Sequence, residues 1–248
     1  MSAYGTVQPP AKPQVLLSPT IYLISRKTHT RSPSYVKVEP QADLGWTHIA
    51  VFHLTSRDAP PELIDVLYEE FAEELERDEA RTYPQEKGMT KEEFVAYYFA
   101  RDVFVGLGLA IDPGKTPYDS SRTLEDARAG RDWKSAVAGF YYIKPNYPGH
   151  SSHLCNAGFV IPHTRRGQGL GNILARSFLH YAPALGYRGS VFNLVYVDNP
   201  ASIKIWDTLG FQKVGLIPGA GKRVRKAADG QKEEVYYVDA HVVYKSFD

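Results

Sequence analysis

The sequence predicts an α/β domain. Strand-like and helix-like patterns alternate through its last hundred residues, a glycine-rich loop stands between one such strand and an amphipathic helix, and the composition is that of an ordinary globular chain. With 248 residues, 43% of them hydrophobic and 23% charged, the chain suits one enlarged domain. We read residues 1–13 as a flexible tail and 14–248 as a single domain. The tail holds three prolines and no apolar run, which is unlike a secretory signal peptide.

Val15 to Ser25 (VLLSPTIYLIS) has the apolar, β-branched character of an early strand or strand pair, and Thr47 to Ser56 that of another. Pro60-Pro61 opens a segment in which Leu63, Val66, Leu67, Phe71 and Leu75 recur at helical spacing, predicting one amphipathic helix over 60–79. Its other face carries Glu69, Glu70, Glu73, Glu74 and Glu76 and reads as solvated. Thr90 and Glu93 form a capping box for a second helix ending near Arg101, with Phe94, Tyr97 and Tyr98 on its inner side. Val103 to Ile111 reads as a strand, and Asp112 to Trp133, which lacks periodicity, as a long surface loop. Ala136 to Ile143 resumes as a strand, turned by Lys144 to Ser152.

From there the pattern runs strand (Leu154–Ile161), glycine loop, helix (Leu170–Leu185), strand (Ser190–Val197), helix (Ala201–Leu209), then strands at Phe211–Ile217 and Glu234–Tyr244. Such alternation predicts at least one parallel or splayed strand pair around a crossover helix. There is no internal repeat.

Composition excludes several classes of function. Lys+Arg 29 against Asp+Glu 28 leaves a net charge of +1, too balanced for a chain whose main task is to neutralise a phosphate backbone. One cysteine, Cys155, rules out an internal disulfide and a multi-cysteine zinc site, and reads as a buried thiol in a reducing compartment. No metal is expected. No apolar run reaches 18 residues, so the expectation is a cytoplasmic protein outside the membrane.

Arg166-Gly167-Gln168-Gly169-Leu170-Gly171 is where chemistry enters the sequence. Glycines let the backbone approach a phosphate without Cβ atoms in the way, while the free N–H groups and positive end of the following helix favour an anion. The spacing is one residue short of the dinucleotide-binding G-x-G-x-x-G, and Gly219-Ala220-Gly221-Lys222 lacks the glycine spacing and hydroxyl of a nucleotide-binding P-loop. Two asparagines also stand out, Asn156 among Leu, Cys, Ala, Gly, Phe, Val and Ile, and Asn193 among Val, Phe, Leu, Val and Tyr. A primary amide left unpaired in such a strand costs about 1–3 kcal/mol, so each needs a partner: the other amide, a bulge or a ligand. His150, His153 and His163 read as solvated loop residues. Lys222, Arg223, Arg225 and Lys226 read as an exposed basic hairpin, with a phosphate contact as the alternative. Tyr141 and Tyr142 alternate on their strand, one toward the core and one toward a cleft.

R-x-x-G-x-G after a strand, followed by Asn199-Pro200-Ala201-Ser202 and Trp206-Asp207-Thr208-Leu209-Gly210-Phe211, resembles the two signatures of the GNAT superfamily of N-acetyltransferases. Within it, TYPQ (82–85), YIKPNY (142–147), CNAGF (155–159), FNLVYV (192–197) and KIWDTLGFQKVGLIP (204–218) are similar to a fungal subfamily of L-azetidine-2-carboxylate, or proline-analogue, N-acetyltransferases. The resemblance covers roughly residues 60–218. It implies a mixed sheet splayed between its fourth and fifth strands, with acetyl-CoA in the cleft as cosubstrate. It further implies that Phe159, Val160 and Ile161 pair with the pantetheine arm, that residues 166–171 hold the pyrophosphate, and that Asn199 and Ser202 lie at the cofactor. Asn156 and Asn193 match asparagines that line the family's active site. An amide cannot act as a base, so their implied task is to position the acceptor amine or its carboxylate and to stabilise developing charge, with proton removal through water. Many family members have a tyrosine acid where Trp206 stands, and an indole cannot replace it. The implied function is acetyl transfer to a proline analogue, in detoxification or oxidative-stress proline metabolism. The alternatives are acetylation of a polyamine or a peptide amine, and a catalytically weak acyl-CoA-binding module. A homodimer through the C-terminal strands is also implied.

Overall fold

A computed structural model describes residues 15–24, 45–77, 81–112, 122–226 and 233–248. The predicted tail at 1–13 lies outside them. Eight strands form one mixed sheet: β1 (Thr20–Leu23), β2 (His48–Leu54), β3 (Asp102–Leu109), β4 (Val137–Pro145), β5 (Leu154–Val160), β6 (Gly189–Tyr196), β7 (Gln212–Lys226) and β8 (Glu233–Ser246). Their spatial order is β1-β2-β3-β4-β5-β6-β8-β7. β1 to β5 run antiparallel in sequence, β5 and β6 are parallel, and β8 lies antiparallel between β6 and β7. The α/β expectation is borne out.

Helices cover both faces, which is why β3 and β4 are buried at every position and read as continuous apolar runs. On one face α1 (Pro61–Arg77) and α2 (Lys91–Tyr98) bury Leu63, Leu67, Phe71, Phe94 and Tyr98 against Val103, Val105, Phe140 and Tyr142. On the other α5 (Leu170–Ala184) and α6 (Pro200–Thr208) bury Leu174, Phe178, Tyr181 and Trp206 against Val51, Phe104, Tyr141 and Phe192. Alternate residues of each strand thus serve two cores. The capping box of α2 forms as read, Thr90 Oγ1 accepting from the Glu93 N–H and Glu93 from the Thr90 N–H.

Four expectations are corrected. The segment 112–133 contains α3 (Leu124–Arg128) and leads straight into α4 (Trp133–Ala136), short helices capped by Thr123 and Asp132. Neither is long enough to show a period, so only their caps marked them. The acidic face of α1 is only partly solvated, because Glu70 and Glu74 are buried. β7 runs on to Lys226 in a long hairpin with β8, and Arg223 is buried there against Asp198 and the Tyr196 ring rather than exposed. Tyr141 and Tyr142 are both buried, their hydroxyls bonded to Ser177 and Tyr97.

What positions the site is the junction of β5 and β6. These strands pair at only two places, Leu154 with Gly189 and Cys155 with Ser190, and then diverge. Because the short β1 precedes the family's first strand, the implied splay between fourth and fifth strands falls at β5 and β6 here. Aromatic side chains fill the wedge beneath it: Phe159 lies 4.8 Å from Tyr141 and 5.3 Å from Trp206, and Phe192 lies 4.5 Å from Trp206, between ring centroids.

Candidate active site

Asn156 and Asn193 face each other across the splay, and a third amide joins them. Asn146 follows β4 directly, held by its N–H to the carbonyl of Leu154. Its Oδ1 accepts from Asn156 Nδ2 at 2.6 Å and from Asn193 Nδ2 at 2.8 Å, while its own Nδ2 donates to Asn193 Oδ1 at 3.2 Å. Tyr147 adds a longer hydroxyl bond to Asn193 Oδ1, at 3.4 Å. Asn193 sits where the β6–β8 register slips between Phe192 and Val195, and a bulge of this kind re-aims a side chain. So the pairing of the two amides, one of the alternatives open in the sequence, is indirect and runs through Asn146. One atom stays over: Asn156 Oδ1 is buried without a partner.

Lys144 stands across the β4–β5 ladder from Asn156 and is 3% exposed. Its Nζ donates to the Tyr97 carbonyl at 3.0 Å and lies over the Tyr97 and Tyr142 rings. Burial pulls its pKa down to about 7. Tyr142, Tyr98 and Tyr83 pack beside it, and burial pushes all three phenols well up, so that they stay neutral. Gly158 makes room for them: a Cβ there would meet Tyr142 at 2.7 Å and Tyr83 at 3.0 Å.

The glycine loop stands at the mouth of the same cleft. Gly167 and Gly169 both have φ of 78°, open to glycine at no steric cost, and Gly169 heads α5 with no side chain capping the helix. A Cβ on Gly169 would meet nothing within 4 Å. Gln168 Nε2 is a buried donor without a partner. The Arg166 guanidinium is already engaged with the buried Glu74 carboxylate of α1. The neighbouring Glu70 has its pKa raised by burial, partly offset by Lys134 and Arg165. These two carboxylates therefore face the arginines of the loop, while Glu69, Glu73 and Glu76 stay on the solvated side.

At the far side, Asn199 caps α6 by accepting from the Ser202 N–H at 3.1 Å, and its Nδ2 reaches the Arg81 carbonyl and Thr82 hydroxyl, each at 3.4 Å. The Ser202 hydroxyl accepts the Trp206 indole N–H at 3.0 Å. His150, His153 and His163 are exposed. Among the described residues no group of three or more His, Cys, Asp or Glu gathers as for a metal, and no helix is long and apolar enough to cross a membrane.

The acetyltransferase (GNAT) family model matches residues 51–211, which runs from β2 through both signatures. The chain belongs to the GNAT acetyltransferase family. The acetyltransferase is 35% identical over 199 residues to N-acetyltransferase aca1 of Schizosaccharomyces pombe, covering 80% of this chain and 87% of that one. Its fold is similar to a GCN5-related N-acetyltransferase from Kribbella flavida, with a TM-score of 0.57 at 21% identity, covering 79% of this chain and 97% of that one. It is also similar to a phosphinothricin acetyltransferase from Sinorhizobium meliloti in complex with acetyl-CoA, with a TM-score of 0.54 at 16% identity, covering 79% of this chain and 88% of that one. As a member of its family the protein is an N-acetyltransferase with acetyl-CoA as cosubstrate.

The residues of this acetyltransferase suit that cosubstrate. The loop offers the unpartnered Gln168 Nε2, glycine backbone and open space at Gly169 to a pyrophosphate. Beyond Cys155, β5 makes no ladder pairing with β6, so β6 does not take up the backbone of 159–161, where the Ile161 carbonyl accepts from Arg166 Nε at 3.4 Å. Sequence reasoning missed Asn146, Lys144 and the inward Glu74. The first two had a signal, since both are polar residues at the end of an otherwise apolar strand. Glu74 had none, because a carboxylate that faces an arginine 92 positions away looks in sequence like any helix surface residue.

Proposed function

We propose that this acetyltransferase moves the acetyl group of acetyl-CoA to the amine of a small amino-acid-like acceptor, a proline analogue such as L-azetidine-2-carboxylate. The observation that carries this reading is the amide cluster at the splay: Asn146 locks Asn156 and Asn193 in one orientation and leaves Asn156 Oδ1 buried and open to an N–H. Bound acetyl-CoA supplies an acetyl thioester. Asn156 Oδ1 then orients the attacking amine, the amide N–H groups offer donors toward developing charge, and as the C–N bond forms the C–S bond breaks, CoA leaving as the thiolate and the amine proton leaving through water. The Trp206 N–H is committed to Ser202 and has no acidity to offer the sulfur. The pyrophosphate role of Arg166, Gly167, Gln168, Gly169, Leu170 and Gly171 rests on the open, donor-rich loop. The backbone role of Phe159, Val160 and Ile161 rests on the unpaired edge of β5. Asn199 and Ser202 support the cofactor side by shaping the start of α6.

The acceptor is tested by thiol release from acetyl-CoA with L-azetidine-2-carboxylate, proline analogues, a polyamine and a peptide N-terminus. Saturable turnover confined to the cyclic amino acids is expected. Turnover only with the polyamine or peptide overturns the acceptor, and acetyl-CoA binding without turnover of any acceptor returns the weak binding module. We assign the protein to the cytoplasm on its lone free thiol, and treat 14–248 as one domain because a single sheet runs from Thr20 to Ser246. The homodimer finds support in β7, an edge strand with Val214 and Leu216 more than half exposed.

A further inference from the structure

The acetyl-transfer chemistry above gives no task to a buried ammonium beside its asparagines. Lys144 has its ammonium inside the protein, one N–H on the Tyr97 carbonyl at 3.0 Å and the ring centroids of Tyr97 and Tyr142 at 3.7 and 4.2 Å. Aromatic faces favour a cation, but they do not replace an anion. Among the described residues no carboxylate forms an ion pair with it, and burial is the one cause that moves its pKa. The groups facing it are the Tyr97 phenol from α2, the Tyr142 phenol from its own strand and the Asn156 amide from β5, none of them anionic near neutral pH. A methionine would fill the same space without a desolvated charge. The lysine is therefore a cation lacking its counter-ion, directly across the ladder from an amide oxygen lacking its donor.

We infer that Lys144 is the counter-ion for the acceptor's carboxylate, which restricts the acceptor to α-amino and α-imino acids. This rests on the proposed reading of the asparagine cluster as the amine site. An α-amino acid carries amine and carboxylate on one carbon, and two residues paired across the ladder, Asn156 with its open Oδ1 and Lys144 with its ammonium, present the complementary acceptor and cation. A polyamine would set a second cation against Lys144, and a peptide N-terminus has no carboxylate beside its amine.

The test uses the full-length protein with acetyl-CoA and two pairs of probes: L-azetidine-2-carboxylate against its carboxamide as acceptors, and cyclobutanecarboxylate against cyclobutanecarboxamide as inhibitors. The wild type should favour each carboxylate by at least about tenfold. Lys144→Met should weaken both carboxylates on the order of 10²-fold and leave the carboxamides unmoved, as expected when a buried charge loses its partner. Lys144→Arg, which keeps the charge, should retain part of the preference. In calorimetry near pH 7.5, in buffers of different ionisation enthalpy, cyclobutanecarboxylate should draw a proton onto the wild type and none onto Lys144→Met, because an anion raises the lysine pKa from about 7. Lys144→Met should fold with an undiminished thermal midpoint, since it removes a buried charge. Equal inhibition by carboxylate and carboxamide overturns the inference. So does a Lys144→Met variant that loses kcat alike with both acceptors at unchanged inhibition, which would mark the lysine as a base. If no amino acid is turned over yet cyclobutanecarboxylate binds through Lys144, the acceptor reading fails and the carboxylate site stands. If azetidine-2-carboxylate is turned over equally well by Lys144→Met, the acceptor reading stands and the lysine fails.

Discussion

Asn146 shows how much one side chain can organise. A single carboxamide oxygen takes N–H groups from β5 and β6 where those strands no longer bond to each other. Asn146→Ala leaves both partner amides unsatisfied in a half-buried site and frees them to rotate, so kcat should fall about 10²-fold. The KM for acetyl-CoA should stay nearly constant, and steady-state kinetics checks both. The nearby Cys155 behaves in the opposite way, as an inert group. Burial pushes its thiol up to about 12, so the thiolate is scarce at pH 8 and alkylation should proceed only after unfolding. Mass spectrometry after brief iodoacetamide treatment of native and denatured protein reads that difference.

At the scale of elements, the loop before α5 and the helix α1 are joined more closely than either suggests alone. Gly169 has the left-handed backbone conformation and open space above it. Gly169→Ala should therefore strain the backbone by roughly 1–2 kcal/mol and weaken acetyl-CoA moderately. Gly169→Glu adds a carboxylate where the anion is expected, and should weaken acetyl-CoA by at least about a hundredfold in calorimetry; equal affinities for the two variants would remove the loop from the cofactor site. α1 contributes Glu74 to the Arg166 guanidinium, so this helix holds the loop expected to bind the donor. Paired with Arg166, the inward Glu74 carboxylate has no uncompensated charge to offer a cationic acceptor.

At the scale of the whole molecule, Tyr181 of α5 ties the helix layer to the sheet's first edge. Its buried hydroxyl bonds with Thr20 Oγ1 at 2.9 Å and with the carbonyls of Ser18 and Val51 at 3.1 Å. Tyr181→Phe removes the one O–H that those oxygens share, at a cost of about 1–2 kcal/mol, which should lower the thermal midpoint by roughly 2–8 °C. Activity should hold, since the splay lies on the other side of β3 and β4.

The order of the longer strands and helices, the capping box at Thr90, the glycine loop and the two costly asparagines were legible from the residues, because each follows a local rule: period, cap, backbone freedom or the cost of an unpaired amide; the short α3 and α4 carry too few residues for a period and were not. The family followed from short strings within those elements. Tertiary structure alone decided what those groups meet. It brought Asn146 between Asn156 and Asn193, turned Glu74 toward Arg166, drew Arg223 into the hairpin, and left Lys144 buried beside two tyrosine rings with no carboxylate partner among the described residues. The reason is that periodicity and caps act over a few residues, whereas the partner of a buried polar group lies tens of positions away and is chosen by how the sheet opens.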